Sequence, residues 1–252
     1  MTDVKGQRDD RLPVLGIGVD ALTQPQVLAR IEQAVDERQI VQIVTVNAEF
    51  IMRARRDRDF AQVLDRADMA TADGAGVVWA LRRKGAALPE RVGGYGLIWS
   101  LSSLAATRGY RVFLLGGGQG IAAEAAERLR AAIPNLQIAG TLSGTPRLED
   151  AADIVEAIRQ SNADVLFVAF GAPAQDLWIA QHLAETGAVV AMGVGGSFDY
   201  IAGRAKRAPI WMQQHGLDWL WRLVHQPWRW RRMLVLPHFA WLVLTEGRVR
   251  KD

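Results

Sequence analysis

Short apolar runs alternate along this chain with longer stretches whose apolar positions recur every three or four residues. The runs fall at 14–19, 42–46, 69–72, 111–115, 137–141, 165–170 and 189–194, and most end in glycine or a polar turn. A run of four to six residues with no polar face predicts a strand buried on both sides of a parallel sheet. The stretches between them predict helices. Residues 121–133 are rich in Ala, Glu, Leu and Arg, which lose little freedom in a helix, and Pro134-Asn135 stops them. Strands alternating with helices of this length predict an α/β fold with a Rossmann-like layered, largely parallel sheet. After Tyr200 the glycine-ended strands cease and stretches rich in Trp and Arg begin. The expected organisation is an α/β core over 12–202 and a helical appendage over 203–252. There is no internal repeat and no low-complexity segment.

Composition narrows the chemistry. The chain has 252 residues, half of them hydrophobic and 23% charged, which suits one large domain with an appendage and excludes a disordered chain. It has no cysteine, so disulfides, thiolate metal sites, iron–sulfur ligation and cysteine nucleophiles are excluded. His182, His215, His225 and His238 lack metal-ligand spacing. No bound metal and no cofactor are expected. Net charge is only +3, yet residues 203–252 carry ten Lys/Arg against three Asp/Glu, and six of the nine tryptophans. A tail this basic and aromatic predicts a surface for anionic partners. The N-terminal residues are polar and do not read as a secretory signal. The apolar stretch 233–244 is shorter than the ~20 residues a bilayer needs, and Pro237 and His238 interrupt it. The expectation is a cytoplasmic protein, peripheral at the inner face of the membrane, whose tail touches lipid without crossing it.

In open parallel sheets ligands bind beyond the carboxyl ends of the strands. Five segments belong there: 45–47, 73–76, 116–120, 171–175 and 193–197. Thr45 and Asn47 are two apart on a strand and so share a face. They suit sugar hydroxyls, or Asn47 caps the following helix. Asp73 at a strand end suits a general base or a sugar-hydroxyl ligand; the alternative is again a helix cap. Gly116, Gly117 and Gly118 follow a strand and open a helix, so their N–H groups suit a diphosphate. The alternative is a tight turn that needs glycine for packing. The next strand ends without the acidic residue that a dinucleotide's ribose requires, which argues against NAD. Gln175 would face a ligand from the start of a helix. Asp57-Arg58-Asp59 resembles a metal-binding D-x-D, but its charged surroundings read as a solvated face. In the tail, Leu217, Leu220, Trp221 and Val224 have helical spacing and predict an inward-packing stripe. Its Trp and Arg residues suit a lipid–water interface, a phosphate, or nucleic acid.

The ordered set of Thr45-Val46-Asn47-Ala48-Glu49, Ala72-Asp73-Gly74-Ala75-Gly76, Pro89-Glu90-Arg91-Val92, Gly171-Ala172-Pro173-Ala174-Gln175, Gly193-Val194-Gly195-Gly196-Ser197 and Ala208-Pro209 resembles the WecG/TagA/CpsF family of bacterial glycosyltransferases. The resemblance runs from Leu15 to Arg232. It implies an inverting transfer from a UDP-sugar, commonly UDP-N-acetylmannosamine, to a polyprenyl-diphosphate-linked sugar at the inner face of the cytoplasmic membrane. It implies Asp73 as catalytic base, and Thr45, Asn47, Arg91 and Gln175 as pocket residues, beside Gly195 of the strand-end segment 193–197. Arg222, Arg229 and Arg232 match a basic appendage that closes over the site, and nucleic acid is then not an expected partner. Two departures stand out. Ala48 replaces a frequent proline, and Gly93, Gly94, Tyr95 and Gly96 stand where the family often carries an aspartate. They leave open a glucosyltransferase of exopolysaccharide assembly. A non-catalytic nucleotide-binding protein docking on membranes is the rival class, and a homo-oligomer is compatible with either.

Overall fold

The computed structural model describes residues 11–246 apart from Leu88, Gln226, Trp228 and Arg229, and describes Arg231 and Arg232 by backbone alone. The described residues open with β1 (Arg11–Val14) and β2 (Ile17–Asp20). Then α1 (Gln24–Asp36) leads to β3 (Val41–Val46), and α2 (Ala48–Ala54) with α3 (Arg58–Arg66) leads to β4 (Met69–Ala72). Helices α4 (Ala75–Arg83) and α5 (Gly94–Arg108) precede β5 (Arg111–Gly116), and α6 (Ile121–Ala132) precedes β6 (Gln137–Leu142). Next come α7 (Leu148–Ser161), β7 (Val165–Ala169), α8 (Ala174–Thr186) and β8 (Val190–Gly193). Among the described residues, five helices follow: α9 (Ser197–Ile201), α10 (Ile210–Gln214), α11 (Asp218–His225), α12 (Trp230–Met233) and α13 (Val235–Thr245).

The eight strands form one sheet in the order β1-β2-β4-β3-β8-β7-β5-β6. Every neighbouring pair is parallel except β1 with β2. The apolar run 14–19, which reads as one strand, is two. Leu15 and Gly16 have φ of 51° and 89°, and the chain reverses there as a two-residue hairpin whose central residues both need positive φ. Leu15 is buried, so its apolar side chain hides the turn from any reading of hydrophobicity.

Alternate strand residues feed opposite layers. Val41 and Ile43 pack with α1, α5 and α6 through Ile31, Leu101 and Ala125. Val44 and Val46 pack with α2, α3 and α4 through Ile51, Phe60 and Leu81. Helices α7 and α8 cover the same face beyond β8, through Ile158 and Ile179.

The segment after 202 does not stand apart from this core. Helix α13 returns to the sheet and buries Phe239 and Val243 among Val46, Val77 and Leu81. Glu246 at its end accepts from the Leu15 N–H at 3.2 Å and pairs with Lys84 at 2.9 Å. Helix α11 behaves differently from its sequence pattern. It has no buried residue, and Leu220 and Val224 of the expected inward stripe are exposed. Among the described residues, no helix is long and apolar enough to cross a membrane.

Candidate active site

The carboxyl ends of four adjacent strands, β4, β3, β8 and β7, open into one cavity of about 880 Å³. Strand register sets its floor. Thr45 pairs with Thr71 and Val46 with Ala72, so β3 and β4 end level, and the Asp73 N–H donates to the Val46 carbonyl at 2.8 Å. Across the β8–β7 junction, the Val194 N–H donates to the Val168 carbonyl at 2.8 Å. The cavity is bordered by Thr45, Asn47, Asp73, Arg91, Gln175, Gly195 and Arg222, drawn from six separate stretches of chain.

The two strand-end residues with the same two readings separate here. Asn47 is a cap: its Oδ1 accepts from the Phe50 N–H at 3.0 Å at the start of α2, which leaves the amide nitrogen as a donor. Asp73 is not a cap. The N-cap of α4 is Gly74, with φ of 108° and no side-chain bond to the helix. The Asp73 carboxylate instead lies 3.6 Å from Arg91 Nε. A Cβ at Gly93 would collide with it, so the Pro89–Gly93 turn passes at backbone distance. Arg91 also donates from Nη1 to Asp218 at 2.6 Å and so joins the carboxylate in the core to α11. Burial opposes the Arg91 charge, but Asp73 and Asp218 together hold it more firmly protonated than a free arginine.

Gln175 is buried, and its Oε1 accepts from the Gly195 N–H at 2.9 Å, bracing the turn between β8 and α9. Gly193 lies against the Gln175 amide and the Asp176 carboxylate so closely that no Cβ fits. Asp176 is fully buried, and neither carboxylate oxygen has a hydrogen-bond partner among the described residues. Burial pushes this carboxyl up to about 7; the adjacent Gln175 amide and its own backbone N–H oppose the rise without reaching hydrogen-bond geometry.

The opposite wall is cationic and aromatic. Arg207 Cζ sits 3.8 Å above the Tyr95 ring, and its Nη2 donates to Gln213 at 2.7 Å. Tyr95 and Tyr200 meet edge to face at 6.3 Å, with Arg222 Cζ 5.7 Å from the Tyr200 ring. Arg204 also lines the cavity and is paired with Glu124. Tyr95, Tyr200, Arg204 and Arg207 were not legible as site residues from spacing. The one available signal was the basic cluster Arg204, Lys206 and Arg207 directly before Ala208-Pro209.

Three expected residues are elsewhere. Gly116, Gly117 and Gly118 do not border the cavity. A Cβ on Gly116 would come within 2.9 Å of the Phe170 ring and 3.0 Å of the Ala169 carbonyl carbon, and one on Gly117 within 3.3 Å of Ile121. This loop needs glycine for close packing, the bland alternative of the two. Arg229, like Trp228, lies outside the described residues, as does the side chain of Arg232. Asp57 of the D-x-D caps α3, accepting from the Phe60 N–H at 3.1 Å. Among the described residues, no group of three His, Asp or Glu is close enough to hold a metal ion.

A carboxylate facing a wall of guanidinium groups across one cavity suits proton removal on one side and stabilisation of a departing anion on the other. The model of the glycosyl transferase WecG/TagA/CpsF family matches residues 12–252. An N-acetylglucosaminyldiphosphoundecaprenol N-acetyl-beta-D-mannosaminyltransferase of Bacillus subtilis (strain 168) is 35% identical over 217 residues, 86% of this chain and 84% of that protein. A protein of the same name from Bacillus spizizenii is 37% identical over 206 residues, 82% of this chain and 79% of that protein.

Proposed function

The chain belongs to the WecG/TagA/CpsF family of glycosyl transferases, and on that premise we propose that it transfers N-acetylmannosamine from UDP to a polyprenyl-diphosphate-linked N-acetylglucosamine in cell-surface polysaccharide synthesis. The observation that carries this reading is Asp73: a strand-end carboxylate that caps nothing and faces the cavity beside Arg91. Asp73 takes the proton of the acceptor hydroxyl as that oxygen attacks the anomeric carbon. The C–O bond to the diphosphate breaks on the opposite face, the configuration inverts, and UDP leaves with the electron pair. Arg207 and Arg222 offset the charge that develops on the diphosphate. By resemblance, Arg229 and Arg232 join them. Thr45 and the Asn47 amide nitrogen supply neutral contacts to sugar hydroxyls, while Gln175 holds the Gly195 turn in shape. With guanidinium groups in this role, turnover needs no divalent metal.

Attachment to the inner face of the cytoplasmic membrane is part of the same reading. Trp230, Leu234, Trp241 and Leu244 are exposed on α12 and α13 in a segment with a surplus of basic residues. Exposed indole and leucine beside arginine favour an anionic lipid surface, at about 1 kcal/mol per basic residue near it.

The test is incubation of the full chain with a panel of UDP-sugars and a short-chain lipid-diphosphate-N-acetylglucosamine, with and without chelator, read by mass spectrometry. The expected product carries one added N-acetylhexosamine and forms equally with chelator present. Asp73→Asn should lower turnover by about 10²–10⁴-fold while leaving UDP affinity within about twofold. Wild-type turnover in that variant would remove Asp73 from the mechanism. Transfer from UDP-glucose alone would move the assignment to a glucosyltransferase.

A further inference from the structure

A second cavity, of about 840 Å³, adjoins the first and shares Glu49, Phe50 and Ala172 with it. It runs between the α2–α3 corner and the α12–α13 junction. Part of its lining is apolar, from Phe50, Met52, Leu234 and Val235, and part is cationic, from Arg53, Arg56 and Arg58, with His238 beside them. Two carboxylates temper this charge. Glu49 stands at the shared wall, and Asp57 pairs with Arg53 at 3.5 Å while capping α3. Arg56 and Arg58 have no ion-pair partner among the described residues. His238 of α13 also lines the groove, its ring 6.2 Å from that of Trp241, and both Trp241 and the groove residue Leu234 are exposed.

We propose that this groove is the acceptor lane: it holds the diphosphate and first isoprene units of a polyprenyl diphosphate, so that the attached sugar enters the main cavity past Glu49, Phe50 and Ala172. The proposal rests on the reading of the chain as a transferase acting on a lipid-linked acceptor. Three observations favour this occupant. The main cavity is of the size that suits one cofactor-sized ligand, and the second cavity beside it offers separate space for a second diphosphate with its chain. Unpaired guanidinium groups beside an apolar wall match a ligand that joins a diphosphate to a hydrocarbon. The groove also reaches from the wall it shares with the reacting carboxylate's cavity to Leu234 and His238, beside exposed Trp241, a route that suits a chain anchored in a bilayer.

Farnesyl diphosphate, inorganic diphosphate and UDP serve as separate probes of the full-length protein in equilibrium titrations. The wild type should bind farnesyl diphosphate equally well with and without saturating UDP. Arg56→Glu combined with Arg58→Glu should weaken farnesyl diphosphate by about tenfold or more, since each lost charged hydrogen bond is worth about that much, and leave UDP unchanged. Both residues are exposed, so the variant should fold. Leu234→Glu should weaken farnesyl diphosphate by several-fold through the apolar wall alone. Displacement of farnesyl diphosphate by UDP, or equal binding by the charge-reversed variant, would overturn the proposal. Inorganic diphosphate binding as tightly as farnesyl diphosphate would equally overturn the prenyl assignment. Failure of UDP to bind would instead sink the donor reading, while arginine-dependent capture of farnesyl diphosphate would still uphold the groove.

Discussion

Asp73 and Asp176 show how the same side chain takes opposite roles through its surroundings. Asp73 has an arginine beside it and an open cavity before it. Asp176, one residue after the cavity-lining Gln175, has neither, and burial raises its carboxyl to about 7. The linkage to stability has a definite sign. Between the unfolded value near 3.8 and about 7, the folded chain keeps a proton that the unfolded chain has lost. The Asp176 contribution is therefore fully present below pH 4 and is lost as pH rises to 7, at up to about 1.4 kcal/mol per pH unit. Asp176→Asn cannot lose that proton. Its melting temperature relative to wild type should rise from pH 4 to pH 7 and stay level above. A constant difference across that range would show that Asp176 does not titrate in the folded protein.

Among the elements, α11 is held in an unusual way. It has no fully buried residue, and of its apolar side chains only Trp221 and Leu223 are half-buried, so the hydrophobic effect holds it weakly. Its ties are polar: Asp218 to Arg91 at 2.6 Å, and the Trp221 indole N–H to the Lys206 carbonyl at 3.1 Å. Partly exposed pairs of this kind contribute about 0.2–1 kcal/mol, so α11 should open far more easily than the sheet. It also carries Arg222. Asp218→Ala should therefore raise the donor KM by about two- to fivefold with little change in melting temperature, and speed amide exchange in 218–225. Unchanged exchange there would mean that other contacts secure the helix. The β1–β2 hairpin is the opposite case. Arg11 joins its two strands through Asp20 at 2.7 and 2.9 Å in a largely buried pair, and Asp20 also accepts from the Ala70 N–H at 2.6 Å.

For the whole molecule, the consequence of α13 packing is that the residues up to 202 do not form a complete core. The alternation of strands and helices ends near Ser197, which suggests a sheet closed without the tail. Phe239 and Val243 contradict that suggestion by filling the layer over β3 and β4. Exposing two such side chains and their cavity costs about 3–6 kcal/mol, a large share of the 5–15 kcal/mol of a typical domain. A chain ending at residue 233 should thus show a clearly lower denaturation midpoint than the full chain, or aggregate through the uncovered surface. An unchanged midpoint would show that α13 is an accessory.

The sequence by itself determined the fold class and most of the strands, because a parallel strand covered on both faces is mainly apolar and such runs are visible without coordinates, although the β1–β2 hairpin stayed hidden in a single run. It also placed Thr45, Asn47 and Asp73 at strand ends, and Gln175 at the start of the helix after one, where the geometry of parallel sheets puts ligands. It did not determine which strand ends meet. That depends on strand order, and only the central placement of β8 beside β3 joins Gln175 and Gly195 to Asn47 and Asp73, while the Gly116 loop falls outside. Capping was equally undecided: Asn47 and Asp73 have the same local pattern, and helix α4 begins one residue later than an Asp73 cap requires. Arg207 reached the site through a tail whose path no periodicity encodes. Contacts between residues over a hundred positions apart, such as Arg91 with Asp218, are set by how layers pack, and packing is a property of the folded chain as a whole.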